Sequence, residues 1–200
     1  MTADKIAADV QAVHAALLAA VQIGISLSQT APGQYRISIG LQDALRACDH
    51  LAILKNGIKE IVAQEDRSAT FMAKFDEREG NSSHIHLSFR GTDGSMVMAD
   101  HDGHNGLSAV GKAFIAGQLE HAHELTLMYA PQINSYKRYA PGSFAPTAIR
   151  WGRDNRTCAF RLVGHDQGLR LENRLPGGDV NPYLAVAGMV AAGLDGIERD

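Results

Sequence analysis

Cysteine is scarce in this sequence: two residues in 200, Cys48 and Cys158, with no Cys-x-x-Cys pair. That excludes a disulfide-stapled secreted scaffold and points to a reduced protein. A basic excess is also missing. With 19 basic and 22 acidic residues the net charge is -3, so there is no general field for nucleic acid or an anionic membrane, and any anion site has to be local. Apolar runs break at Gln, His or Gly well short of the roughly 20 residues that a membrane helix needs. The first ten residues, MTADKIAADV, are acidic and polar where a secretory leader is basic and then apolar, and a cytoplasmic location is expected. Internal repeats and low-complexity segments are absent as well. What is present, 45% hydrophobic and 20% charged residues, suits one ordinary domain over residues 1–200 with a sizeable core.

Hydrophobic spacing supplies the elements. Ile6, Val10, Val13, Leu17 and Val21 form one stripe of a helix over about residues 4–22. After the turn Ala31-Pro32-Gly33, alternation of Tyr35, Ile37 and Ile39 with Arg36 and Ser38 predicts a strand over 34–39. Leu41, Leu45, Cys48, Ala52, Ile58 and Val62 predict a helix over 41–63, and a short strand is expected over 69–73. Gly91 to Gly106 reads as a solvated loop, although His101 and His104 in it could bind a metal. Ser108 is a helix cap, and Ala109, Val110, Phe114, Leu119 and Leu125 give that helix a buried side as far as Leu127. Strands are predicted at 148–151 and 159–163. A last helix runs from Pro182, capped by Asn181, through Leu184, Val186, Met189, Val190 and Leu194.

Chemistry concentrates in three stretches. In RLENRLPGGDVNP, residues 170–182, strand alternation puts Arg170, Glu172 and Arg174 on one face, one carboxylate between two guanidiniums. The pattern suits a solvated strand with surface ion pairs or an anion site with a carboxylate able to hold a metal. In GNSSHIHLSF, residues 80–89, His84, His86 and Ser88 share one face, opposite Ile85, Leu87 and Phe89. Two imidazoles on one face suit a cleft but name no metal. The turn-rich segment 134–146 carries Lys137 and Arg138 and has the form of a substrate-positioning loop. Arg156 and Arg161 lie at a turn and on the strand after it. Guanidiniums bind phosphate and carboxylate as forks, often beside a divalent ion, so phosphate transfer is the natural reading.

The succession HxH at 84–86, NSYKR at 134–138, Arg156 and Arg161 in NRTCAFR, RxExR at 170–174 and NPYLA from Asn181 resembles the catalytic domain of glutamine synthetase. GNSSHIHLSFRG, GSFAPTAIRWGRDNRTCAFR and PGGDVNPYLA are more similar to the branch of γ-glutamyl-amine ligases acting on polyamines or related amines, and the likeness covers about residues 8–198. It implies an ATP-dependent ligase that activates the γ-carboxylate of glutamate as an acyl phosphate and passes it to an amine, with Mg2+ or Mn2+. It further implies that His84 and Glu172 ligate a metal, that Gly80, Arg138 and Arg174 bind glutamate, that Arg156 and Arg161 hold the transferring phosphate, and that His86, Ser88 and Arg170 lie along the nucleotide. The fold implied is α+β, an incomplete form of the family's barrel with a mostly antiparallel sheet and helices packed on one side.

Three positions depart from the family. Gln29 and Arg36 stand where the resemblance implies metal-binding glutamates, and a guanidinium there puts positive charge where a cation should sit. Phe144 stands at a flap position that is glutamate in ammonia-using members. Intact members are more than twice as long and build their sites between subunits of stacked rings, so the resemblance also implies exposed sheet edges and self-association for this chain. A second reading is a non-catalytic remnant that binds nucleotide or glutamate, or joins an intact relative.

Overall fold

A computed structural model describes residues 28–31 and 33–199 of the chain; the helix expected over 4–22 lies outside the described residues. The chain divides into two compact units, Met1–Phe71 and Met72–Asp200.

In the first unit Gly33, at φ 76°, turns strand β1 (Ser28–Ala31) back onto β2 (Gln34–Arg36), with Ser28 opposite Arg36 and Gln29 opposite Tyr35. Pairing stops at Arg36, short of the expected Ile39. Ile37 and Ile39 instead pack around Leu54 and Ile58 of helix α1 (Ala44–Gln64). That helix begins three residues later than periodicity suggests because Asp43 caps it, accepting from the Arg46 N–H at 2.9 Å. Leu41, ahead of the cap, and Leu45, in the first turn, are exposed, and the buried residues are Cys48, Leu54 and Ile58. The strand expected over 69–73 does not form. Phe71 packs on the α1 core instead, its ring within 5.5 Å and 5.9 Å of the Lys55 and Lys59 ammonium groups.

The second unit is α+β. Its sheet has the order β3-β6-β5-β4, from β3 (Ile85–Leu87), β4 (Ala148–Arg153), β5 (Cys158–Val163) and β6 (Arg170–Asn173). β3 and β5 each pair antiparallel with β6, while β4 runs parallel to β5. Parallel neighbours normally need a long crossover. Here Asp154 adopts φ 50° and reverses the chain, and five Cα steps, up to ~18 Å when extended, carry it back from Arg153 to Cys158.

Ile85, Leu87, Phe160, Leu162 and Leu171 line one sheet face and share a core with Phe114, Ile115, Tyr129, Ala185 and Met189. Helix α2 (Ala109–His121) starts where Ser108 accepts from the Gly111 N–H at 2.9 Å. It ends before the expected Leu127; a turn and the short helix α3 (Thr126–Tyr129) follow, then α4 (Ile133–Tyr136). Helix α5 (Pro182–Glu198) is capped by Asn181, whose side chain accepts from the Tyr183 and Leu184 N–H groups. Its large apolar residues do not define its buried side. Ala185, Gly188, Met189, Ala192, Gly193 and Gly196 are buried, whereas Leu184 and Leu194 are 52% and 51% exposed. The cause is close approach of α2 and α5: a Cβ on Gly117 would stand 2.0 Å from the Ala192 carbonyl oxygen, and one on Gly196 2.3 Å from that of Ala113. The 91–106 segment is a loop with a single 3-10 turn at His104–Gly106, and His101 is solvated beside Asp102, but the segment is not solvated throughout as expected, because Met98 is fully buried in the core. Among the described residues no helix is long and apolar enough to cross a membrane.

Candidate functional site

Register assembles the site. His86 lies opposite Glu172 on β6, and Glu172 lies opposite Arg161 on β5, so three residues far apart in sequence form one row across the face of the sheet away from the core. Arg174 and His84 join the same face by alternation. Glu172 is only 2% exposed, and its oxygens are occupied. Oε1 lies 3.0 Å from Arg174 Nη1, 3.1 Å from His84 Nδ1 and 3.7 Å from His86 Nε2; Oε2 accepts from Arg161 Nη1 at 2.9 Å.

The guanidiniums are themselves fixed. Arg161 also pairs with Asp154 through Nη2. Arg174 donates from Nε to the Arg156 carbonyl at 3.2 Å and from Nη2 to that of Phe144 at 2.9 Å. Arg170 donates from Nε to His86 Nδ1 at 3.3 Å, which leaves the imidazole proton on Nε2, toward Glu172. Burial opposes the charge on Glu172, but the His84 and Arg161 hydrogen bonds and the charge of Arg174 outweigh it and hold the carboxyl well below the usual range. Burial likewise lowers His84 and His86, so both are neutral at neutral pH.

Glu172, Arg174, Arg161, His84, His86 and Arg170 are therefore brought together. Arg156 contributes its backbone carbonyl, while its side chain is exposed. Ser88 is exposed just beyond the end of β3, with no hydrogen bond to this group among the described residues. Gly80 sits against Arg138: a Cβ there would meet Arg138 Cγ at 3.2 Å. Arg138, 4% exposed, donates from Nη2 to the carbonyls of Arg174, Leu175 and Pro176, and the Tyr139 hydroxyl donates to Leu175 O at 2.7 Å. Its Nε is buried without a hydrogen-bond partner among the described residues. Sequence patterning missed this clamp on the end of β6, and it missed Asp154, whose only local signal is its place in a tight turn.

A divalent ion fits these residues poorly. Among the described residues no group of three or more His, Cys, Asp or Glu side chains could hold one. An ion at Glu172 would also lie close to two guanidiniums, each repelling it by roughly twice the ~4 kcal/mol between unit charges at 4 Å with an effective dielectric near 20. The arrangement suits recognition of anionic oxygens by oriented guanidiniums.

Comparison with known proteins identifies the family. Residues 3–200 match the catalytic domain of glutamine synthetase. The chain is 61% identical over 168 residues to a gamma-glutamylethanolamide synthetase of Streptomyces coelicolor, an alignment covering 84% of the chain and 36% of that protein. It is 45% identical to a glutamate–isopropylamine ligase of a Pseudomonas species, covering 86% and 38%, and 35% identical to a gamma-glutamylputrescine synthetase of Escherichia coli, covering 88% and 37%. The chain thus spans under two fifths of the length of these relatives. With the motifs, the sheet and the match over nearly all its residues in agreement, the chain belongs to the glutamine synthetase catalytic-domain family.

Proposed function

We propose that this chain is part of an ATP-dependent ligase that joins the γ-carboxylate of glutamate to an amine. The observation that carries the reading is the convergence of Arg161, Arg174 and Arg170 with Glu172 on one sheet face, within a chain similar to three proteins named for amine products or substrates. In this reading a γ-carboxylate oxygen of glutamate attacks the γ-phosphorus of ATP and ADP leaves. The amine nitrogen then attacks the acyl carbon, phosphate departs and the surplus proton on nitrogen is released.

The chain's own contribution is electrostatic. Arg156 and Arg161 bind the transferring phosphoryl group, Arg138 and Arg174 with Gly80 seat glutamate, and His86, Ser88 and Arg170 lie along the nucleotide. Guanidiniums held by backbone carbonyls need no reorganisation as charge develops, which is the main source of rate in such sites. In the family Mg2+ or Mn2+ would neutralise phosphate charge; His84 and Glu172 alone do not make such a set here, and no step is assigned to a metal. Phe144, 85% exposed and anchored through its carbonyl to Arg174, favours an amine carrying carbon over ammonia.

The occupied oxygens of Glu172, with Gln29 and Arg36 in the sequence, favour the second reading, a non-catalytic remnant that binds glutamate or nucleotide or joins an intact relative. One assay separates them. The chain is incubated with ATP, glutamate, magnesium and, in turn, ethanolamine, isopropylamine, putrescine or ammonium, and products are read by mass spectrometry. A γ-glutamyl amide with an organic amine supports the ligase; no ADP and no amide with any acceptor supports the remnant.

A further inference from the structure

The occupancy of Glu172 bears on more than metal affinity. A carboxylate offers about four lone-pair positions, and three hydrogen-bond donors lie within 3.1 Å of this one: Arg174, His84 and Arg161. Neither arginine is free to step aside. Arg174 would lose its bonds to the Arg156 and Phe144 carbonyls, and Arg161 its pair with Asp154. The surroundings are cationic, with Arg138, Arg156, Arg161, Arg170 and Arg174 facing or flanking Glu172, Asp154 and Asp179. Among the described residues Nε of Arg161 and Nε of Arg138 are buried without a hydrogen-bond partner, so neither guanidinium is saturated. The residues therefore disagree with a metal centre and agree with an anion site that carries its own fixed counter-ion.

We infer that Glu172 in this chain is the permanent counter-ion that orients Arg161 and Arg174, not a metal ligand, and that the arginine cluster binds a phosphate-type oxyanion directly without a divalent cation. Glu172 is here a positioning residue: it holds two forks in place, and the exposed Arg156, whose guanidinium has no side-chain hydrogen bond among the described residues, supplies further donors. The inference does not rest on the ligase reading.

The test is calorimetry on the full 200-residue chain. Magnesium chloride alone should give no saturable heat. Inorganic phosphate should bind with the same affinity, within about twofold, in excess EDTA and in excess magnesium, and more weakly as salt rises. Arg156→Ala, an exposed change that leaves the Glu172 pairs intact, should weaken phosphate binding about tenfold, the effect of one charge-assisted hydrogen bond. Glu172→Gln should not create or abolish a magnesium site. Should that variant fail to fold, the wild-type and Arg156→Ala titrations still decide. Stoichiometric magnesium binding, phosphate binding that needs magnesium, or no phosphate binding at all would each overturn the inference. Magnesium-independent phosphate binding with no γ-glutamyl product would sink the ligase reading and leave this one standing.

Discussion

Gly117→Ala sets two opposed effects against each other in the helix pair beneath the candidate site. Alanine is a better helix former than glycine by ~1 kcal/mol, so the substitution should stabilise an unpacked helix. In α2, however, the new Cβ would stand 2.0 Å from the Ala192 carbonyl oxygen and 2.9 Å from the Gly196 Cα and N, all backbone atoms of α5. None can rotate away, so the helices must separate by about 1 Å, loosening Phe114, Ile115 and Met189 in the core they share with the sheet. Overpacking of this kind costs ~3 kcal/mol at the upper end of its usual range. The net expectation is a loss of ~2 kcal/mol and a fall in Tm of about 6–10 °C. Gly188→Ala is the internal control, with the same gain in propensity. Its Cβ would meet Met128 Sδ at 3.0 Å and Leu125 Cδ2 at 3.3 Å, the ends of flexible side chains, so it should be neutral or slightly stabilising. Urea titration followed by fluorescence of Trp151, the sole tryptophan, reports on the unit concerned. If Gly117→Ala is as stable as the parent, or the two variants behave alike, the close backbone approach of α2 and α5 is refuted.

Other consequences follow from the charges and carbonyls. His121 places Nε2 2.6 Å from Asp195 and Nδ1 3.2 Å from Glu124, and those bonds raise its pKa, so its folded value exceeds its unfolded one. The stabilisation is therefore full below the unfolded pKa of ~6.5 and lost as pH rises through the folded value; Asp195, held low by the same bond, loses its share in acid. Chemical denaturation from pH 5 to 9 should show this decline in the parent and a flatter profile in His121→Gln. Arg138→Met would strand the Arg174, Leu175 and Pro176 carbonyls now served by one guanidinium nitrogen, with Tyr139 still bonding Leu175, and should cost on the order of 2–4 kcal/mol. A thermal melt of that variant within 2 °C of the parent would show that Arg138 is free to serve substrate alone.

Local rules decided much of this protein from sequence. Ser108 and Asn181 marked their helix starts because an oxygen-bearing side chain before an apolar run can serve the free N–H groups of a first turn, a matter of three residues. Alternation put Arg170, Glu172 and Arg174 on one face, and His84 with His86 on one face, because a strand's side-chain period is two regardless of its partners. Motif order was enough to indicate the family. What followed from pairing was decided only in the tertiary structure. That His86, Glu172 and Arg161 share a row depends on the registers β3–β6 and β6–β5, which no single strand encodes. Asp154 became a partner of Arg161 because a left-handed turn brought β4 alongside β5 in parallel. Arg138 became a buried clamp because three carbonyls at the end of β6 needed a donor. The same holds for α5: its periodicity counts large apolar residues, but contact distance to α2 is set by the small ones, so glycine and alanine went inward and Leu184 and Leu194 were left outside.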